Sequence, residues 1–313
     1  MTKRKYGRPK KRNLDQKEVK ELLVDLGFKV ESIAQEWRHL HAFGKYQDKD
    51  AVFKLASTRA TSSKTQNEYH WNEAVHLVPE DERLNFTVPE NYSSGFFGKL
   101  FYFVTERFPG EPFLKRNSND LNRVIPKIPQ IAEATYELEN LPIPPDCEFA
   151  KTKKSDRQKK VPVGHRLLHS TTEWANQVPR DLDSLLEVIE KFKDNLRTSV
   201  GHGDFVIRQM YDVENKIGII DGEHAGLRGP LYYDVAQFYI RLRNGHDAKD
   251  IPQKYLMEFK GLLPPPDKKT FWEELKPVLI QRYIGDLWGA AKKPKKLDEL
   301  APLGKEILED RII

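Results

Sequence analysis

The chain has almost no cysteine. Cys147 is the single thiol in 313 residues, which excludes an intrachain disulfide framework and any cysteine-rich zinc site. It follows Pro144-Pro145-Asp146 and reads as a loop residue rather than a nucleophile. Long apolar runs are missing as well. No stretch of about 18 apolar residues occurs, so no membrane-spanning helix is predicted. The basic N-terminus is followed by none of the apolar sequence a secretory leader needs. No internal repeat is found. The expectation from these absences is a soluble protein of a reducing, cytoplasmic compartment.

What is present suits an enzyme core. A chain of 313 residues fits one large core or two modest lobes. Hydrophobic residues make up 38% and charged residues 32%, enough for an interior under a very polar surface. The net charge of +5 is uneven, because residues 1–12 carry seven Lys or Arg and no acid. Such an arm is expected to be disordered. Its Gly7-Arg8-Pro9 core with basic flanks resembles a minor-groove AT-hook. Three residues say little, so a solvated tail is the plainer reading and nucleic acid a secondary partner. A second basic run, residues 151–160, reads as a solvated insertion. The His165/His169 and His39/His41 pairs lack the Cys or carboxylate set of a zinc site.

Residues 200–235 are the most informative stretch. His202-Gly203-Asp204 precedes an apolar segment, residues 205–211. A turn rich in Asp, Glu and Asn follows, then β-branched residues 217–220 run into Asp221. A hairpin of this kind returns its end to its beginning, so both acids can face one site. Phosphoryl transfer needs that arrangement: one acid positions the attacking hydroxyl and another holds a magnesium ion on the nucleotide phosphates. Lys54 is the second signal. It lies inside an apolar strand pattern, residues 51–56, where burying its charge is costly unless it is paired. The helix predicted next offers Glu68 and Glu73 as partners. Glu68 is preferred, because Trp71 and Val75 then form an apolar stripe beneath that helix.

Taken in order, His202-Gly203-Asp204, Gln209, Ile220-Asp221-Gly222-Glu223-His224-Ala225-Gly226 and Pro230-Leu231-Tyr232-Tyr233-Asp234-Val235-Ala236 resemble the aminoglycoside phosphotransferase and choline kinase-like family. The resemblance covers roughly residues 30–290. It implies an α+β, two-lobed protein-kinase-like fold, with a small antiparallel-sheet N-lobe and a mainly helical C-lobe. The corresponding spans are a basic arm 1–13, an N-lobe 14–107 and a C-lobe 108–313. It implies ATP and Mg²⁺ as cofactors and transfer of the γ-phosphate to a hydroxyl of a small molecule. Asp204 would be the catalytic residue that orients the acceptor hydroxyl and accepts its proton, and Gln209 and Asp221 the metal ligands. Lys54, fixed by Glu68, would grip the phosphates. Residues 100–104 read as a strand leading to the adenine hinge, where Thr105 and Arg107 would offer main-chain groups. Asp234 and His202 would hold the catalytic loop.

Three departures stand out. Gln209 replaces the metal-binding Asn of the family. No glycine-rich loop lies between Val30 and Tyr46, where only Gly44 occurs and Trp37-Arg38-His39 fills the turn. Gly222 stands where an aromatic is common. The first two motivate an alternative: a catalytically weak pseudokinase, or a nucleotide-binding or interaction protein on the same fold. In the C-lobe, apolar spacing predicts helices near residues 128–141, 182–196, 235–242 and 271–288, with Pro264-Pro265-Pro266 breaking the chain before the last. The acceptor is not specified. A polycation would use Glu223, Glu273, Glu274 or Asp286; a quaternary amine would use a cage of Trp272, Tyr283 and Trp288.

Overall fold

Local chemistry sets the first lobe. The computed structural model describes residues 13–115, 118–154, 161–246 and 249–312. Residues 1–12 of the basic arm and 155–160 of the second basic run lie outside them. Helix α1 (Gln16–Asp25) starts where the Asp15 side chain accepts the Lys17 N–H at 2.8 Å. Strands β1 (Phe28–Glu36), β2 (His39–Tyr46) and β3 (Lys49–Ala56) follow as a meander. Gln47 and Asp48, with φ of 51° and 63°, close β2 onto β3. Such a two-residue, left-handed turn matches the twist of paired strands. Helix α2 (Arg59–His76) is capped by Thr58, and β4 (Phe86–Thr87), β5 (Asn91–Phe97) and β6 (Leu100–Glu106) complete the region. The five-stranded antiparallel sheet has the order β1-β2-β3-β6-β5. Its core packs Val19 and Leu23 of α1 against Leu40, Phe53, Leu55 and Val104.

The second lobe is helical around two small sheets. It contains α3 (Ile128–Glu139), α4 (Glu148–Lys154), α5 (Val163–Ala175), α6 (Asp183–Phe192) and β7 (Thr198–Gly201). Next come β8 (Met210–Val213), β9 (Lys216–Ile219), β10 (Gly226–Pro230), α7 (Tyr233–His246), α8 (Asp250–Leu262), α9 (Pro265–Ala290) and α10 (Pro294–Leu308). β7 pairs with β10, and β8 with β9. β4, inside the span 14–107, pairs in parallel with β9. Helix α2 also reaches across, for its Trp71, Ala74 and Val75 join the large C-terminal core.

This is the two-lobed, kinase-like architecture the motifs imply. The helical spacing recovers α3, α6, α7 and α9. It leaves α4, α5, α8 and α10 unread. Pro265 and Pro266 occupy the first positions of α9, where a missing N–H costs nothing. Among the described residues no helix is long and apolar enough to cross a membrane.

Candidate active site

The loop after β7 is held by its backbone. Asp234, at the start of α7, accepts the His202 N–H at 2.6 Å and the Gly203 N–H at 2.9 Å. Burial pushes the Asp234 carboxyl up, and those bonds oppose the rise. Gly203 has φ 79°, and a Cβ there would lie 2.6 Å from the His224 carbonyl oxygen, so only glycine suits it. His202 is fully buried, edge-on to Trp71 and Phe205.

The hairpin then brings the acids together. Glu214 and Asn215, with φ of 48° and 66°, form the two-residue turn between β8 and β9. Gln209 Nε2 donates to Asp204 Oδ2 and to Asp221 Oδ2, each at 3.0 Å. The other Asp204 oxygen accepts from Gln237 Nε2 at 3.1 Å. Asp221 adopts a left-handed backbone, φ 70° and ψ 42°, a conformation that Asp tolerates and that recurs at functional sites.

Lys54 reaches the same point from the first lobe. Its Nζ donates to Glu68 Oε2 at 2.5 Å and to Asp221 Oδ1 at 2.7 Å. Glu73 instead accepts from Asn91 Nδ2 at 2.8 Å, so of the two acids on α2 it is Glu68 that meets the lysine. Burial works against the Lys54 charge, but Asp221 and Glu68 outweigh it and raise its pKa. Burial pushes Glu68 up to about 7, with Lys54 opposing and Asp221 adding to the rise. Asp221 is held below the usual carboxylate range: burial opposes its charge, and the adjacent Lys54 overcomes that cost. His39 and His41 sit on the neighbouring strand. Burial, then Lys54, drives both toward the neutral form, His41 to about 4 and His39 further.

These groups stand at one end of a cleft of about 620 Å³ between the lobes. The lining also includes Phe43, Val52, Phe103, Phe108, Tyr211 and Ile220, an apolar set that could pack against a planar ring. Thr105 and Arg107 both line it. The Thr105 hydroxyl donates to the Glu90 carbonyl at 2.8 Å, and the Arg107 N–H to the Asp50 carbonyl at 3.1 Å. An adenine contact from Arg107 would therefore have to share or displace that N–H. Oxygen donors for a hard cation are also present. Gln209 Oε1 is buried without a partner beside the Asp204 and Asp221 carboxylates, a donor set that fits magnesium completed by phosphates and water. Among the described residues no three His, Cys, Asp or Glu side chains converge as a self-sufficient metal cage.

The missing glycine loop has a physical counterpart. Glu36 pairs with His39, so β1 and β2 are joined by Trp37 and Arg38 alone. Arg38 reaches over the cleft to the buried Glu223 carboxylate, which His224 Nε2 also contacts at 3.0 Å. Gly44 serves packing: a Cβ there would lie 2.0 Å from the Lys29 carbonyl oxygen at the β1 bulge. Gly222 has a similar reason, since a Cβ there would lie 2.2 Å from Trp71 Cδ1. The indole of Trp71, from α2, thus occupies the space beside residue 222.

Arg38 and Gln237 escaped the sequence reading. Gln237 follows Asp234 by three residues, which puts both on one helix face and could have flagged it. The acceptor candidates are mostly committed elsewhere. Glu274 takes two bonds from Arg197, at 2.8 and 2.7 Å. Trp272 bonds Asp310 at 2.6 Å, and Tyr283 is buried. Trp288 stacks on Trp174 rather than on either of the other two rings.

No family model and no curated protein matches this chain. Solved structures do. The GDP complex of aminoglycoside 2'-phosphotransferase-IIIa is similar with a TM-score of 0.60 at 14% identity, over 96% of this chain and all of that one. Amicoumacin kinase hAmiN, in complex with AMP-PNP, Ca²⁺ and Ami, gives 0.59 at 11%, over 95% and 94%. Choline kinase LicA from Streptococcus pneumoniae gives 0.56 at 13%, over 94% and 99%. At such identities the likeness establishes the fold, which is that of the aminoglycoside and choline kinases.

Proposed function

We propose that the protein is an ATP- and Mg²⁺-dependent phosphotransferase that moves the γ-phosphate to a hydroxyl of a small molecule. The observation that carries this is the junction of the lobes: Lys54 bonded to both Glu68 and Asp221, with Asp204 tied to Asp221 through Gln209. Lys54 would neutralise the phosphates, with Glu68 fixing its position. Asp204, pinned by Gln237 and Gln209, would orient the acceptor hydroxyl and take its proton. Asp221 and the Gln209 Oε1 would hold Mg²⁺, which when bound offsets the charge on the phosphates. Half a rotation of the Gln209 amide would exchange its Nε2 for Oε1 at the carboxylates. Such catalysis is chiefly positioning and charge stabilisation. Thr105 and Arg107 would flank the adenine, and the fold's small-molecule kinases support the class of acceptor.

Gln209 also supports a second reading, a nucleotide-binding protein with little transfer. As it stands, the amide donor fills the gap between the two acids. The test is ADP release with a panel of small alcohols, in Mg²⁺ and in EDTA. Magnesium-dependent release that falls about 10²–10⁴-fold in Asp204→Asn, the usual worth of a general base, supports transfer. Nucleotide binding without release from any alcohol supports the second reading.

A further inference from the structure

A second cavity lies along α7, the helix that carries Gln237, the partner of Asp204. Its volume is about 490 Å³, and its lining includes Trp174, Arg241, Arg282, Asp286, Trp288 and Lys293. Helix α7 links it to the catalytic loop. Gln237 on that helix bonds Asp204 at 3.1 Å. One turn earlier, the Tyr233 hydroxyl accepts from Arg282 Nη1 at 2.8 Å. One turn later stands Arg241. A helical turn rises about 5.4 Å, so Gln237 stands between Tyr233, the partner of the lining residue Arg282, and Arg241, which lines the cavity itself.

The chemistry of this cavity is cationic and aromatic. Arg282 is only 9% exposed, and among the described residues no carboxylate pairs with it. Its Nε is buried without a partner. The guanidinium instead lies 5.3 Å from the Tyr233 ring centre and 6.0 Å from that of Trp174. A buried guanidinium without a counter-charge is costly, and an anion seated beside it would relieve the cost. The cavity's carboxylate, Asp286, is already taken by Arg241 at 3.0 Å and Asn244 at 2.9 Å. Lys293 and Lys296 add charge at the rim, with Lys296 shared with Glu299 at 3.2 Å. Trp174 and Trp288 stack with centroids 6.0 Å apart, and Trp288 keeps 38% of its surface open.

We infer that this cavity is the acceptor subsite and that it takes an anionic alcohol, one whose carboxylate or phosphate meets Arg282 while a flat portion lies on the tryptophan pair. The inference rests on the phosphotransferase reading only for the destination of the hydroxyl at Asp204. A polycation would meet uncompensated positive charge here.

Four matched probes test it by calorimetry on the full chain: para-hydroxymethyl benzoate, para-hydroxymethyl phenyl phosphate, neutral para-xylylene glycol and cationic para-hydroxymethyl benzylamine. A charge-assisted contact predicts that at least one anion binds roughly tenfold or more tighter than the glycol and the amine. Comparison of the two anions tells carboxylate from phosphate. Arg282→Gln should erase the preference of the anions over the glycol. Arg241→Ala, at a half-exposed position, should free the Asp286 charge, weaken the anions and strengthen the amine; Asp286→Asn should do the reverse. The inference is overturned if the amine binds best, if neither anion binds, or if anion affinity survives in folded Arg282→Gln and Arg241→Ala. Anion binding without ADP release from any probe would instead overturn the phosphotransferase reading and leave the anion site standing.

Discussion

Charge at the lobe junction is decided by single side chains. Two carboxylates and one ammonium share a buried spot, and the lysine belongs to both acids. A hydrogen bond to a charged partner contributes about 1.5–3 kcal/mol, so Glu68→Gln should weaken Mg-ATP binding roughly tenfold or more. Glu73→Gln, which keeps an oxygen to accept from Asn91 and removes only a charge, should change it little; competition with a fluorescent nucleotide measures both. Gln209→Leu deletes the bridge between Asp204 and Asp221 and should abolish magnesium-dependent turnover, whereas Gln209→Asn should retain it if the shorter amide still reaches. Much at this scale was legible. Asp204, Asp221 and Lys54 could be read because each is a charge set against apolar strand sequence. Arg38 and Gln237 were not, because an arginine in a turn and a glutamine on a helix look like solvated residues until the fold carries them to the cleft.

Elements explain the departures from the family pattern. The β1–β2 connection is two residues long and carries an arginine instead of flexible glycines, so the cleft is covered by a side chain rather than by backbone amides. Gly222 and Trp71 form a complementary pair across α2 and the β9–β10 connection. An aromatic at 222 would collide with the indole, and overpacking of this kind costs about 1–3 kcal/mol or more. Gly222→Phe should therefore lower the midpoint of urea unfolding, and Trp71→Ala in the same chain should restore part of it. Additive losses in that double-mutant cycle would break the argument. Local strand and helix patterns recovered β3, α2 and β6 in the first lobe. They missed α5, whose polar residues outnumber its apolar ones, α8, and β4, whose pairing with β9 depends on contacts far away in the chain.

At the scale of the whole molecule, the two lobes meet through buried titratable groups, and stability should follow pH. Burial and then Lys54 depress the folded pKa of His41 to about 4. A depressed histidine contributes stability that is complete above its unfolded value of about 6.5 and is lost as pH falls toward the folded one. Glu68, raised to about 7, works in the opposite sense, its contribution fading as pH rises from the unfolded value near 4.3. The clean measurement is thus a difference: between pH 6.5 and 4, His41→Gln should flatten the acid loss of unfolding free energy by about 1–3 kcal/mol. The central claim, a nucleotide site assembled from both lobes, is tested most directly by thermal unfolding against Mg-ATP, with Asp221→Ala alongside. A ligand at a hundredfold excess over its Kd stabilises the folded state by about 2.7 kcal/mol. The account predicts a rise in Tm with ATP that requires magnesium and disappears in Asp221→Ala. No rise at millimolar ATP, or an equal rise in the variant, would contradict it.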